Sequence, residues 1–489
     1  MQLGAANVIP NGAGLGNVTV DGVLDMGGLS ATVNGLSGAG WVDNSLGVGT
    51  YTLTIGNNDQ TSTFNGIIRD TSGTVEVTKI GTGGLTLNGA NDYDGATRLN
   101  AGVLTIGHAT ALGTAVAGTT VANGTRLRLI NNFTIVAEAL SLAGDGGGLG
   151  ALENGSGGHD WAGSVTLTDN AAIGVTASGA LAISGAITDG AGNFNLTKVG
   201  SIGTLFLSGN NSYDGTTTVS AGTLNIQNAN ALGSTATGTT VSNGATLALQ
   251  GGIVYAAEPL TLNGTGGGIG ALNSVSGNNT WQGTVTLGSG SYIGSTAGLL
   301  TLSNTVDTSV YTVGFVENGN TTVDGVITGA GNLEKRGTGL LTLTANNNYG
   351  GSTTVIAGVL NIRTDTATGT TTWAGVWVSN GSKLQLENNI TVTLPLTLNG
   401  GGACELENLS GNNTWQRSIY LDTAATIGST AGLLTLNSSI NTNNKLLTFV
   451  GAGNTTAAGE IKNTGGLTKA GTGTLVLSYA NTYGNCLAP

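Results

Sequence analysis

Val77-Thr78-Lys79-Ile80-Gly81, followed by Leu85-Thr86-Leu87, Asn91-Asp92-Tyr93-Asp94-Gly95 and Gly102-Val103-Leu104-Thr105-Ile106, is the stretch from which the fold is read. It recurs as Leu196-Thr197-Lys198-Val199-Gly200, Leu205-Phe206-Leu207, Asn211-Ser212-Tyr213-Asp214-Gly215 and Gly222-Thr223-Leu224-Asn225-Ile226. A third copy carries Lys335, Leu341-Thr342-Leu343, Asn347-Asn348-Tyr349-Gly350-Gly351 and Leu360-Asn361-Ile362. A fourth begins at Leu467-Thr468-Lys469 and reaches Asn481-Thr482-Tyr483. The short Leu-x-Leu and Val-x-Val alternation puts apolar groups on one face and Thr or Ser on the other, the pattern of half-buried strands.

Spacing then separates the possible β architectures. Leu87 to Ile106, Leu207 to Ile226 and Leu343 to Ile362 are identical intervals. Leu99 to Val121 and Val219 to Val241 are also equal and slightly longer, and Val355 to Val378 is longer by one position more. All of them fall near a sub-period of about 20 residues holding two or three short strands, which is one coil of a parallel β-helix. A sandwich would instead place a tight turn every 8 to 12 residues or so. Asn123-Gly124, Asn243-Gly244 and Asn380-Gly381 recur at matching points. Alone they suit a coil corner or a hairpin equally. Pro259 and Pro395, each before Leu-Thr-Leu, suit the start of a strand. The expected fold is therefore all-β: a right-handed parallel β-helix of roughly two dozen coils, on the order of 100 Å long.

A longer period overlies the coils. The motif lysines recur at Lys79, Lys198, Lys335 and Lys469, each step spanning several coils. Trp161, Trp281 and Trp415 close matching segments, two of them reading Gly-Asn-Asn-Thr-Trp. Trp41 precedes Trp161 by the same interval that separates Trp161 from Trp281, and so marks a degenerate earlier copy. The chain is expected to be one continuous array over residues 1–489, with long repeats at 1–76 (degenerate), 77–195, 196–332, 333–466 and 467–489 (truncated).

Composition limits what such an array can do. Charged residues are 8% of the 489, against roughly 25% in an average soluble domain. The net charge of −12 disfavours nucleic acid and anionic lipid, which require basic patches. No apolar run approaches the ~20 residues of a spanning helix, so membrane insertion is not expected. Two cysteines, Cys404 and Cys486, are too few for a disulfide scaffold and leave the core to packing. Met1-Gln2-Leu3-Gly4 lacks the basic and apolar regions of an export signal, and the last motif stops in mid-repeat, so a fragment of a larger protein is expected.

Candidate chemistry is sparse. His108 and His159 have unlike surroundings and no recurring partners, so they read as surface residues rather than as a metal site or triad. Asp145, Glu153, Asp160, Asp169 and Asp189 are the best acidic set for a glycosidase or lyase, but they fall on different coils with no basic partner nearby in sequence. Asp145-Gly146-Gly147-Gly148-Leu149-Gly150 echoes a calcium-binding nonapeptide, yet the next copy begins with Thr265, which favours a glycine turn. Lys79, Lys198, Lys335 and Lys469 are the most regular charges; a covalent cross-link or binding ladder is weighed against surface lysines that cover apolar coil, and the surface reading is preferred. Tyr93, Tyr213, Tyr349 and Tyr483 read as corner packing. The threonine runs Thr216-Thr217-Thr218 and Thr371-Thr372 are too sporadic for an ice-binding face. No catalytic, cofactor or metal residue is assigned, and no cofactor is expected.

The pattern Leu-x-Lys-x-Gly-x-Gly-x-Leu-x-Leu, Asn-x-Tyr-x-Gly and Gly-x-Leu-x-Ile resembles the autotransporter-associated β-strand repeat of type V secreted bacterial surface proteins. The resemblance implies a β-helical passenger outside the cell, serving as an adhesin or stalk. No translocator barrel follows, and Tyr483-Gly484-Asn485-Cys486 breaks the continuation, so signal and translocator are expected to lie outside residues 1–489. The expected function is a non-catalytic extracellular rod in adhesion or as a filament subunit. Expected partners are further repeats or copies stacked end to end, and cell-surface glycans. The rival is a polysaccharide-active enzyme or glycan-binding module on the same scaffold.

Overall fold

A computed structural model describes residues 1–371, 375–401 and 404–484, together with the backbone of Cys486–Leu487. Thr372 of the Thr371-Thr372 run and Asn485 of the terminal break lie outside the described residues. The chain forms two compact units, Met1–Thr240 and Val241–Pro489. Both are parallel β-solenoid with about 21 turns of chain in all, and the only helical element among the described residues is the 3-10 turn Gly266–Gly268. No helix is long and apolar enough to cross a membrane.

In the first unit, one face stacks strands from Ala31–Val33 through Thr74–Lys79 and Thr97–Leu99 to Ile187–Thr188. A second face runs from Ser62–Phe64 through Gly84–Leu87 and Leu152–Asn154 to Thr217–Val219. The third holds Phe133–Ile135, His159–Trp161, Ala180–Ile183, Thr204–Leu207 and Thr223–Ile226. Every pairing is parallel, so the Asn-Gly dipeptides are corners rather than hairpins: Gly124 turns at φ +80°, the left-handed conformation glycine adopts without cost. The second unit repeats the plan, with one face running from Thr246–Gln250 to Ile461–Lys462 and another from Val254–Tyr255 to Leu467–Lys469.

The core is a set of aliphatic columns. Leu85, Leu104, Leu127, Leu152 and Ile173 are successive register partners, and all are buried. Each such side chain contributes roughly 1.5–3 kcal/mol by leaving water. Coil length varies: Leu87 pairs with Ile106, whereas Leu127 must travel a distinctly longer loop to meet Leu152. Fewer turns therefore form than a uniform period of ~20 residues implies. Trp161, Trp281 and Trp415 end their strands fully buried. Trp41 instead begins its strand, is 41% exposed, and lies under the Arg69 guanidinium at 3.9 Å.

The long repeat does not close on a whole number of turns. From Lys79 the register passes through Leu99, Val121, Leu142 and Leu167 to the coil of Ile187–Thr188, and Lys198 stands on the next face of that coil. Within the second unit, Lys335 passes through Val355, Val378, Leu398 and Leu421 to the coils of Ile440 and Ile461, and Lys469 again stands one face further on. Within each unit the motif therefore advances by one face from one copy to the next.

Candidate functional site

The recurring motif is the natural place to look for a site, and its residues point inward. Lys79 sits in an aliphatic column between Ile55 and Leu99, 1% exposed. Its Nζ donates to the carbonyls of Ile80 at 2.6 Å, Gly81 at 2.7 Å and, on the next coil, Ala101 at 3.2 Å. Lys198 does the same with Val199, Gly200 and Ala221 at 2.9, 2.8 and 3.0 Å. Lys335 reaches Gly337 and Ala357. The surface reading of these three lysines is thus overturned. A glycine two residues on (Gly81 at φ +71°, Gly200 at φ +87°) turns the corner so that its carbonyls face the core, and a lysine stem is long enough to bring three donors to them. Burial pulls each ammonium down to about 8. Lys469 is half-buried and reaches two carbonyls, those of Ala470 and Gly471.

The Asn-x-Tyr-x-Gly segment replaces a strand on the third side of its coil. Asn91 Oδ1 accepts the Ile68 N–H of the preceding coil at 2.8 Å, and its Nδ2 donates to the Ala111 carbonyl of the following one at 2.6 Å. Asn211 joins Ile187 to Ala231, and Asn347 joins Ile327 to Ala367, in the same way. One amide thus ties three coils. Tyr93, Tyr213 and Tyr349 are fully buried at the corner with their hydroxyls on Thr97, Thr217 and Thr353, as packing predicts; Tyr483 is half-buried. Gly95, Gly215 and Gly351 are required by proximity: a Cβ would lie 2.2, 2.1 and 2.3 Å from the carbonyl oxygens of Val75, Phe194 and Gly331.

The acidic set does not share one face: Glu153 and Asp160 stand on different ones. Asp160 faces outward on the third face of its unit and accepts Ser184 Oγ at 2.8 Å. Glu153 belongs to the second face, 3% exposed, and accepts Thr176 Oγ1. It does have basic partners: Arg126 and Arg128 Nε lie 3.2 and 3.6 Å away, one coil earlier, so distance in sequence concealed them. The second unit repeats this arrangement with Glu407, Lys383 at 2.8 Å and Thr430 at 2.6 Å. Asp145 accepts Gly147 N–H within its own turn, and Asp169 accepts from Asn123 and Asn170. Asp189 ties Phe194 and Asp214 backbone N–H groups, both at 3.1 Å.

His159 is buried rather than superficial: the alternation that turns Trp161 inward turns His159 inward too. It stacks edge-on against Phe133 at 4.5 Å, and burial lowers its pKa. His108 is half-buried, its Nδ1 accepting Thr110 N–H. Cys404 is a free, buried thiol whose Sγ donates to Leu406 O. Among the described residues no three His, Cys, Asp or Glu side chains gather as metal ligands. Sequence reasoning missed Glu138, 5% exposed, which accepts Thr119 Oγ1 at 2.7 Å beside a cavity of about 130 Å³ and is pushed up to about 7 by burial.

Residues 77–106, 196–226, 333–362 and 467–485 each match the passenger-associated transport repeat. The chain is 30% identical over 357 residues to the adhesin BmaC autotransporter of Brucella suis biovar 1 (strain 1330); the alignment takes in 72% of this chain and 8% of that protein. No solved structure matches significantly. Inward lysines, coil-tying asparagines and corner tyrosines are the physical content of the matched repeat, and this chain carries four copies of that autotransporter passenger repeat.

Proposed function

We propose that the chain serves as a non-catalytic, extracellular stretch of a bacterial surface protein, acting as an adhesive and structural spacer that associates end to end with further coils or further copies. The observation that carries this reading is the direction of the motif: its lysines, asparagines and tyrosines are consumed in joining coil to coil. What is left outside is largely threonine, serine and asparagine, which suits a wall rather than a reaction centre. The kinship with an autotransporter adhesin supports secretion and surface display.

Two measurements test the proposal. Beads coated with the purified chain should adhere to cells more than uncoated beads, and equal adherence would remove the adhesive role. Electron microscopy at high concentration should show fibres, whereas discrete short particles alone would remove end-to-end stacking.

A further inference from the structure

Outward positions form columns just as inward ones do, and threonine dominates them. In the first unit Thr32, Thr54 and Thr78 stack, followed after Arg98 by Thr120, Ser141, Thr166 and Thr188. In the second unit Thr280, Thr301, Thr322 and Thr342 do the same. One column of the second unit departs from this pattern by carrying two exposed aromatic rings. Register aligns Thr354, Trp377, Thr397, Tyr420 and Asn441 on successive coils of the second unit. Trp377 is 41% and Tyr420 39% exposed, while Val376, Val378, Ile419 and Leu421 on either side of them are buried.

Both rings therefore lie on the outer face, two rungs apart, or ~10 Å at the spacing of stacked strands. The Trp377 ring is laid down along its strand: its Cη2 comes within 3.3 Å of where a Cβ on Gly375 would stand, so glycine makes room for the ring to lie flat. The five rungs from Thr354 to Asn441 are uncharged, and the register continues to Glu334 at one end and Lys462 at the other. The nearest charges in sequence, Arg417 and Asp422, are of opposite sign and flank the Ile419–Leu421 strand at its two ends.

We infer that this column is a binding surface for an uncharged, extended polysaccharide. The inference rests on the adhesive reading above and names its partner. The apolar face of a pyranose ring stacks on an exposed aromatic, and its hydroxyls need neutral donors and acceptors of the kind Thr354, Thr397 and Asn441 supply. Two rungs approximate the rise of two sugars in an extended chain, so alternate residues meet Trp377 and Tyr420. Around the two rings the column is neutral and its two ends carry one acid and one base, so it offers no basic patch of the kind nucleic acid and acidic glycans require. A flat polar ladder also lacks the pocket that anchors a protein partner.

The test uses the full chain. Gel retardation by soluble galactomannan and titration with cellohexaose probe neutral glycans, and heparin serves as the charged control. Retardation or binding by a neutral probe is expected, with none by heparin. Trp377→Ala and Tyr420→Ala should each weaken binding about tenfold or more. Trp41→Ala, which removes an exposed ring of the first unit, should leave it unchanged. Because the altered side chains face outward, thermal melting should not move. Failure of both neutral probes, or binding indifferent to both substitutions, overturns the proposal. Coated beads that still adhere to cells in that event would leave the adhesive role standing with another surface responsible.

Discussion

Replacing Asn211 with alanine should cost more than any contact between neighbouring aliphatic side chains suggests. Asn211 is 4% exposed, its Oδ1 accepts Ile187 N–H at 2.8 Å, and its Nδ2 donates to Ala231 O at 2.6 Å. Alanine removes both partners at once and strands a buried amide on one coil and a buried carbonyl on another. Each orphaned group costs about 1–3 kcal/mol, so the pair amounts to about 4 kcal/mol. Because stacked repeats open locally as well as globally, the loss is best read by native-state hydrogen exchange of peptides containing Ile187 and Ala231. Asn211→Asp provides a second handle. At neutral pH its carboxylate keeps the Ile187 bond but opposes the Ala231 carbonyl, and in acid the protonated group regains a donor, so protection should recover as pH falls. Asn230→Ala, at an exposed position whose side chain bonds only Asn210, is the control. A change below about 1 kcal/mol for Asn211→Ala, or one equal to the control, would refute the three-coil tie as a source of stability.

Further expectations follow from the same geometry. Gly215→Ala places a methyl 2.1 Å from Phe194 O and should destabilise by about 3 kcal/mol in denaturant unfolding, whereas Gly124→Ala, in open space at φ +80°, should lose only about 1 kcal/mol. Lys198→Met leaves three corner carbonyls without a donor and should cost about 3–5 kcal/mol at neutral pH. Since burial holds Lys198 at about 8 against 10.5 when unfolded, the unfolded chain binds more protons between those values; wild-type stability should rise across that window relative to Lys198→Met, by about 3 kcal/mol at most, in melting curves taken at stepped pH. Glu138 has the opposite sign. Its pKa of about 7 against 4.5 makes its contribution full below pH 4.5 and lost as pH rises through 7, about 3 kcal/mol in total, and Glu138→Gln should flatten that slope.

Much of the architecture was legible because stacking register is a matter of spacing. The separations of Leu87 from Ile106, Leu207 from Ile226, Leu343 from Ile362, Leu99 from Val121 and Val355 from Val378 all reappear as pairs in adjacent strands. The lysines were misplaced because charge is ordinarily a surface property. The counter-signal was present in the glycine two residues after Lys79 and Lys198 and in the Ala-Gly one coil further on, which together build an inward-facing carbonyl corner. The pairing of Glu153 with Arg128 escaped notice because the coil joining Leu127 to Leu152 is longer than the one joining Leu87 to Ile106, so outward neighbours cannot be paired by a fixed period. The Trp377–Tyr420 column was hidden for the same reason: the step from Thr354 to Trp377 is longer than the next, from Trp377 to Thr397.

A motif that gains one face from one copy to the next within a unit has an evolutionary corollary. Duplicating a single long repeat within a unit would rotate the coils downstream of it in that unit by a third of a revolution, redirecting any outward patch there to a different compass bearing while equivalent inward residues of the copies continue the columns. Three such events would restore the original aspect. Copy number in arrays of this kind is therefore a dial for what the wall presents and to which side, turned by recombination rather than by point substitution.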